Sequence, residues 1–255
     1  MKRSSILCAM VLTVFTIRAE SRYTYDAPKD LFLGTFALGV FVPPFFVSGS
    51  NSKAVTADAG TVNPFDRSLM FAYNKPLDIA GDVGMYGLAV LPVISLIGNI
   101  ANINAVASYA IMYGEAFSLT YGTVEIIKDA TSRNRPYTYF GGIPAGMEED
   151  YYNSFPSRHT ALAFMSAGFL SSTFVTEYPD SPLKIPVVVI SNALAVGVGV
   201  SRIASGNHFL TDVLVGGAIG SLYGYLIPFL HLRKQDAARF ALSPMANGFM
   251  LTWKR

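Results

Sequence analysis

The chain has 255 residues, of which 51% are hydrophobic and 14% charged, and its formal net charge is +2. That length holds one sizeable core, and a mean hydropathy of +0.38 exceeds what an ordinary soluble surface carries. The near-neutral balance without a Lys/Arg run excludes a nucleic-acid groove, and the single cysteine, Cys8, excludes disulfides, a thiolate zinc cluster and a thiol nucleophile in the body.

Lys2 and Arg3 precede an apolar run from Ile6 to Ile17, and Ala19 stands before polar Glu20 and Ser21. Residues 1–19 therefore read as a signal peptide or an uncleaved anchor. Within an extension over residues 20–62, Leu31 to Val47 is apolar but interrupted by Pro43-Pro44, which predicts an interfacial, re-entrant or packed segment in place of a clean span. Asn63-Pro64-Phe65-Asp66 carries a cap and an early proline and predicts a short helix from Asp66 to Tyr73.

Val83 to Gly114 has no charged residue, enough for two helices hinged at Gly98-Asn99, the second continuing to Lys128. Further uncharged runs are Thr160 to Thr176, Ile185 to Ser201 and Val213 to Leu230, the last with Gly216, Gly217 and Gly220 suited to close helix contact. The others hold enough Ser, Thr, Asn and Gly to suit buried helices of a soluble bundle as well. Asn247-Gly248 between two short apolar runs predicts a hairpin in the tail, residues 233–255. The expected fold is all-α, a membrane-embedded bundle of about six core helices over residues 63–232 with a short C-terminal β-hairpin.

Three clusters carry candidate chemistry. In Ser201 to Asp212, a helix capped by Asn207 would set His208 and Asp212 on one face, so that the carboxylate holds the ring, with Arg202 brought toward the same point. Lys128, Arg133 and Arg135 lie at the end of a long apolar helix, where the dipole favours cations. Ser157 is placed to cap a helix whose free amides suit an anion, with Arg158 and His159 in its first turn. Taken singly, each also fits a capped helix, a basic helix end or a structural histidine. Arg133 is expected to be solvated or to stand behind the site. Glu115 and Asp82 are isolated acids that burial would oblige to find partners.

Lys128-x6-Arg135-Pro136, Pro156-Ser157-Arg158-His159 and Ser201-Arg202-x5-His208-x3-Asp212 resemble, in order and spacing, the three-part signature of the type-2 phosphatidic acid phosphatase and vanadium haloperoxidase superfamily, in a membrane-associated bacterial form. Arg158 stands where that signature usually has Gly, a residue that lets an amide approach phosphate closely. The resemblance implies that Lys128, Arg135 and Arg202 hold phosphate oxygens, with Ser157, Arg158 and the helix backbone as further donors. It implies that His208 attacks phosphorus to form a phosphohistidine, that Asp212 fixes its tautomer, and that His159 protonates the leaving alcohol and then activates water. No metal and no cofactor are called for. Three cations around one anion predict a phosphate-seeking free site that phosphate and vanadate inhibit.

The hydrophobicity of the chain points to a lipid phosphate or diphosphate monoester as substrate. A soluble exported nonspecific acid phosphatase, a vanadium haloperoxidase and a non-enzymatic membrane structural or lipid-binding protein with a relic site remain alternatives. Oligomeric state is not legible. If the helices span a bilayer, the motifs share one face, and His231, Arg233 and Lys234 mark the cytoplasmic edge at the other. The site then faces the periplasm from the inner membrane, or is soluble and periplasmic in the alternative, provided Leu31 to Val47 does not span. Between Pro136 and Pro156, Tyr137, Tyr139, Phe140, Tyr151, Tyr152 and Phe155 are expected near the lipid interface, with Glu148 to Asp150 keeping the loop solvated.

Overall fold

A computed structural model describes residues 21–46, 58–141, 143–148, 150–233, 240–245 and 248–253, the last two stretches by their backbone only. The expected signal or anchor segment lies outside these residues.

Helix α1 (Ala27–Phe41) starts where the Asp26 carboxylate accepts the Lys29 amide at 3.3 Å, and stops before the Pro43-Pro44 pair. It packs on α4 (Ile103–Thr131), so this stretch lies on the body as its prolines suggest. Tyr23 bridges to Leu232 and the Thr24 amide bonds the His231 carbonyl at one end of the bundle, whereas Asp66 bonds Arg133 and Thr211 at the opposite end. At about 22 Å the helix is shorter than a hydrocarbon core.

Helix α2 (Pro64–Arg67) is a single turn capped by Asn63 and does not extend to Tyr73. The chain leaves it so that the Asn74 amide can bond the Ser205 carbonyl, and the Asn74 side chain then caps α3 (Lys75–Val90). From Leu91 to Asn99 the path tightens to a 3-10 helix, because Pro92 has no amide for the α ladder. After a reversal at residues 99–102, Asn102 caps α4. Three further helices follow, α5 (Arg158–Glu177), α6 (Lys184–Ala204) and α7 (Leu210–Leu230).

Helix α5 is the hub. Most of its residues are buried, and it packs chiefly against α7 and α6. On α7, a Cβ at Gly216, Gly220 or Gly224 would strike main-chain oxygens of Ser157, Ala161 or Met165, so the two backbones lie in direct contact. The main core joins Met112, Ala116 and Leu119 of α4, Met165 and Phe169 of α5 and Ile227 of α7.

The segments Lys75–Asn99, Lys184–Ala204 and Leu210–Leu230 are long and apolar enough to cross a membrane, and only 28–33% of each is buried in the bundle. Their outer faces expose Val83, Tyr86, Val189, Val200, Leu214 and Leu222. The fold is thus an all-α bundle with apolar flanks. In the tail, β1 (Phe240–Met245) and β2 (Gly248–Trp253) pair antiparallel, with Met245 opposite Gly248. The connection is residues 246 and 247, one position earlier than the expected Asn247-Gly248 turn, and both lie outside the described residues.

His231 is not an exposed edge residue. It is buried, with Nε2 at 3.0 Å from Asp30 and 3.4 Å from Glu115, which also gives Glu115 a partner. The Tyr23–Leu232 bridge folds the chain over it.

Candidate active site

The end of the bundle where α4 and α6 finish and α5 and α7 begin gathers the three motif segments. Arg135 lies just past α4, and its Nη1 is 3.1 Å from His208 Nε2. Ser157 caps α5 by accepting the Thr160 amide at 3.4 Å, and its own amide bonds the Asp212 carbonyl at 3.0 Å. Arg202 lies in the last turn of α6 and shares the Asp82 carboxylate with His159.

His208 stands just before α7. Its Nδ1 is 2.7 Å from the Ser154 carbonyl, which can only accept a hydrogen bond, so Nδ1 carries the proton. Nε2 is left with its lone pair, facing a guanidinium that can only donate. Burial, followed by the positive charge of Arg135, Arg202 and Lys128, pushes the ring well below the ordinary histidine pKa. The ring is therefore a neutral imidazole whose remaining lone pair lies on Nε2, toward Arg135, the form a nucleophile requires.

Phe209, not the expected Asn207, is the N-cap of α7: the Phe209 amide is bonded to the Asp212 carboxylate, while the Asn207 amide nitrogen donates to Asp78 at 3.0 Å and Ser205 at 2.8 Å. His208 thus precedes the helix, and Asp212 Oδ2 is 3.7 Å from its Nδ1. Asp212 instead accepts from the Phe209 amide at 2.8 Å, the Ser154 hydroxyl at 2.5 Å and Arg133 at 2.6 Å. Its hold on His208 runs through Ser154.

On the other imidazole, His159 Nε2 is 2.9 Å from Asp82 Oδ1. The Nε2–H tautomer suits this contact, while burial, followed by the charges of Arg202, Arg158, Lys128 and Arg135, pushes the ring's pKa down to about 2.

Each cation has a carboxylate already. Lys128 is 3.5 Å from Glu125, Arg135 is 2.5 Å from Asp150, Arg158 is 3.1 Å from Glu125, and Arg202 is 2.5 Å from Asp78 and 3.3 Å from Asp82. Each of these cations is therefore paired in the free site, although their charges still outweigh the acids at both imidazoles. Asp150 holds Arg135 and does more than keep a loop solvated. Arg158 turns its guanidinium toward Glu125 and the Tyr121 ring of α4, while its backbone stays at the first helical position.

Five contributors escape a reading of the motifs. Arg133, expected to be solvated, joins Asp66 at 2.7 Å and Asp212 at 2.6 Å and lies 4.0 Å over the Phe209 ring. Burial would lift the Asp66 carboxyl, but hydrogen bonds from Arg133, Thr211 and Asn63 overcome it and hold the group below the usual range. Asp78 and Asp82 lie four apart on α3, a spacing that places both on one helix face. No local signal marks Asp66 or Ser154.

The PAP2 superfamily profile matches residues 109–236, half of the chain. The chain belongs to the PAP2 superfamily. The PAP2 match takes in all three motif segments, α4 from Tyr109 onward and α5 to α7, and leaves Asp66, Asp78 and Asp82 outside it.

The protein is similar to phosphatidylglycerophosphatase B of Bacillus subtilis, 39% identical over 29% of this chain and 37% of that one. Against bacitracin transport permease protein BcrC of Bacillus licheniformis it is 31% identical over 54% of this chain and 62% of the relative. Against lipid A 1-phosphatase of Porphyromonas gingivalis it is 41% identical over 38% and 21%. In each case the match spans less than two thirds of the relative. Among solved structures, a transmembrane PAP2-type phosphatidylglycerolphosphate phosphatase from Bacillus subtilis aligns over 78% of this chain and 94% of its own, with a TM-score of 0.40 and 25% identity.

Proposed function

We propose that this PAP2 protein is a metal-independent phosphatase that hydrolyses a lipid phosphate or diphosphate monoester through a phosphohistidine. The observation that carries the reading is the convergence of two imidazoles on two guanidinium groups: His208, its Nδ1 on the Ser154 carbonyl and its Nε2 on Arg135, and His159, whose Nε2 shares the Asp82 carboxylate with Arg202.

In this reading Lys128, Arg135 and Arg202 take the non-bridging oxygens, joined by the Ser157 hydroxyl and the first amides of α5, including that of Arg158. The His208 Nε2 lone pair forms a bond to phosphorus as the bond to the ester oxygen breaks, and His159, as the imidazolium that the bound phosphoryl charge stabilises, passes its Nε2 proton to that leaving oxygen and becomes the neutral ring. His159 then takes a proton from water as the water oxygen displaces the imidazole, which restores His208 and releases inorganic phosphate. Throughout, the Ser154 carbonyl holds the Nδ1 proton, with Asp212 behind it.

A lipid substrate is favoured by the apolar outer faces of the bundle, which suit a bilayer, and by the named activities of the relatives. A periplasm-facing site in the inner membrane follows from placing the α7 C-terminal end, with Arg233 and Lys234 after it, in the cytoplasm. The test is phosphate release by the full chain in detergent from phosphatidate, phosphatidylglycerophosphate, an isoprenyl diphosphate and a soluble aryl phosphate, with and without chelator. A lipid should turn over fastest and chelation should leave the rate unchanged. No turnover of any of them, or an unchanged rate in His208→Ala, would sink the reading.

A further inference from the structure

Asp82 Oδ1 lies 2.9 Å from His159 Nε2 and 3.3 Å from Arg202 Nη1. A single carboxylate oxygen thus faces both the imidazole given to the leaving group and a guanidinium given to the phosphate. Its neighbour Asp78 differs in kind. Asp78 bonds the same Nη1 at 2.5 Å and also accepts from the Tyr73 hydroxyl at 2.8 Å and the Asn207 amide group at 3.0 Å, and its side chain is 14% exposed. Asp78 is a fixed brace for Arg202. The Asp82 side chain is 44% exposed, and both groups that face it are ones the reading assigns to substrate.

The backbone beneath Asp82 cannot retreat. A Cβ on the preceding Gly81 would come within 2.7 Å of Ser201 Oγ and 2.9 Å of Arg202 Cδ, so α3 is pressed against α6 at this level. Only a side-chain rotation toward solvent can clear the oxygen from Arg202 and His159. A phosphoryl oxygen and a carboxylate oxygen cannot share that edge, since like charges so close repel.

We propose that Asp82 is a resident anion of the empty site, displaced by the incoming phosphoryl group. The inference rests on the phosphatase reading and adds a positioning residue to it. Without substrate, Asp82 satisfies Arg202 and keeps His159 protonated at Nε2. When a phosphoryl oxygen occupies Arg202, Asp82 swings out, and the His159 proton is left aimed at the ester oxygen. After turnover the carboxylate returns and helps expel phosphate, so the affinity it removes from ground state and product favours release.

Orthovanadate, which mimics the phosphoryl group, is the probe. Its binding to the purified full chain in detergent is measured by calorimetry, alongside hydrolysis of an aryl phosphate. Asp82→Asn and Asp82→Ala should each bind vanadate about tenfold more tightly, with a lower KM and a kcat reduced about tenfold because His159 has lost its proton-holding partner. Asp82→Glu keeps the charge and should stay within about twofold of the wild-type affinity. A merely structural Asp82 would lower kcat with vanadate affinity unchanged or weakened in both neutral variants, and that result overturns the proposal. If the wild type binds vanadate and His208→Ala abolishes turnover while the neutral variants bind vanadate as the wild type does, this inference alone fails. If the wild type neither binds vanadate nor hydrolyses the ester, the phosphatase reading fails and takes the inference with it.

Discussion

The main-chain carbonyl of Ser154 accepts the Nδ1 proton of His208 at 2.7 Å, so a loop backbone decides which nitrogen of the ring can attack. Asp212, 3.7 Å away, stands behind Ser154 through a 2.5 Å bond from its hydroxyl. Substitutions should grade accordingly. His208→Ala should abolish turnover, Asp212→Asn should lower kcat about 10- to 100-fold, and Ser154→Ala, which keeps the carbonyl, should lower it by no more than about tenfold. Steady-state hydrolysis by the three variants checks the order. An Asp212→Asn enzyme as inactive as His208→Ala would mean that the carboxylate orients the ring directly.

Arg133 is the single cation between two fully buried carboxylates, Asp66 and Asp212. Removing it strands both, and a charge left unpaired in the interior costs about 3–5 kcal/mol. Arg133→Ala should therefore lower the unfolding temperature in detergent sharply. Adding Asp66→Asn to it should cost less than the two single changes together, because the stranded charge is then gone. Strict additivity would show that Arg133 and Asp66 act independently.

What the sequence makes legible is local. The helices follow from uncharged runs of the right length, and Ser157, Asn63 and Asn102 cap theirs through bonds to amides two or three residues ahead. The meeting of Arg135 with His208 follows from motif spacing only with the resemblance in hand. Partners across the fold leave no such trace. Asn207 looks like a cap until Asp78 on another helix claims its side chain, and then the Asp212 carboxylate bonds the Phe209 amide and starts the helix two residues later. His231 reads as an edge residue because it sits beside basic neighbours, yet Asp30 and Glu115 bury it from helices far away in the chain. The pairing of the site's cations fails to show for the same reason. Of the acids that answer the cations, only Glu125 lies within a turn of the lysine it pairs with.

The contact between α5 and α7 depends on glycine at defined places. At Gly220 a Cβ would overlap the Ala161 carbonyl and lie 2.9 Å from the Met165 amide, both main-chain atoms that cannot yield without moving α5. At Gly217 the nearest atoms belong to the Phe164 ring, at 3.3 Å, which can rotate aside. Gly220→Ala should destabilise the protein by about 1–3 kcal/mol and Gly217→Ala by clearly less. Because α5 and α7 carry His159 and Asp212, Gly220→Ala should also lower kcat. Equal thermal shifts for the two variants would mean that the close approach of the two backbones does not depend on glycine at position 220.

His208 also ties stability to pH. Its folded pKa lies well below the free value of 6.5, with burial the first cause and the surrounding cations the second. The unfolded chain therefore binds a proton at a higher pH than the folded one, so this group's stabilising contribution is whole above about pH 6.5 and is lost as the pH falls below it. At pH 5.5, below the free value, the loss is on the order of 1 kcal/mol. His208→Gln has no proton to take up, so the wild type should lose more stability than this variant between pH 7.5 and 5.5, by about that amount. Chemical unfolding in detergent at both pH values, for both proteins, measures the difference. Parallel losses would require His208 to be protonated in the folded site, and a protonated Nε2 facing Arg135 at 3.1 Å would have no lone pair with which to attack.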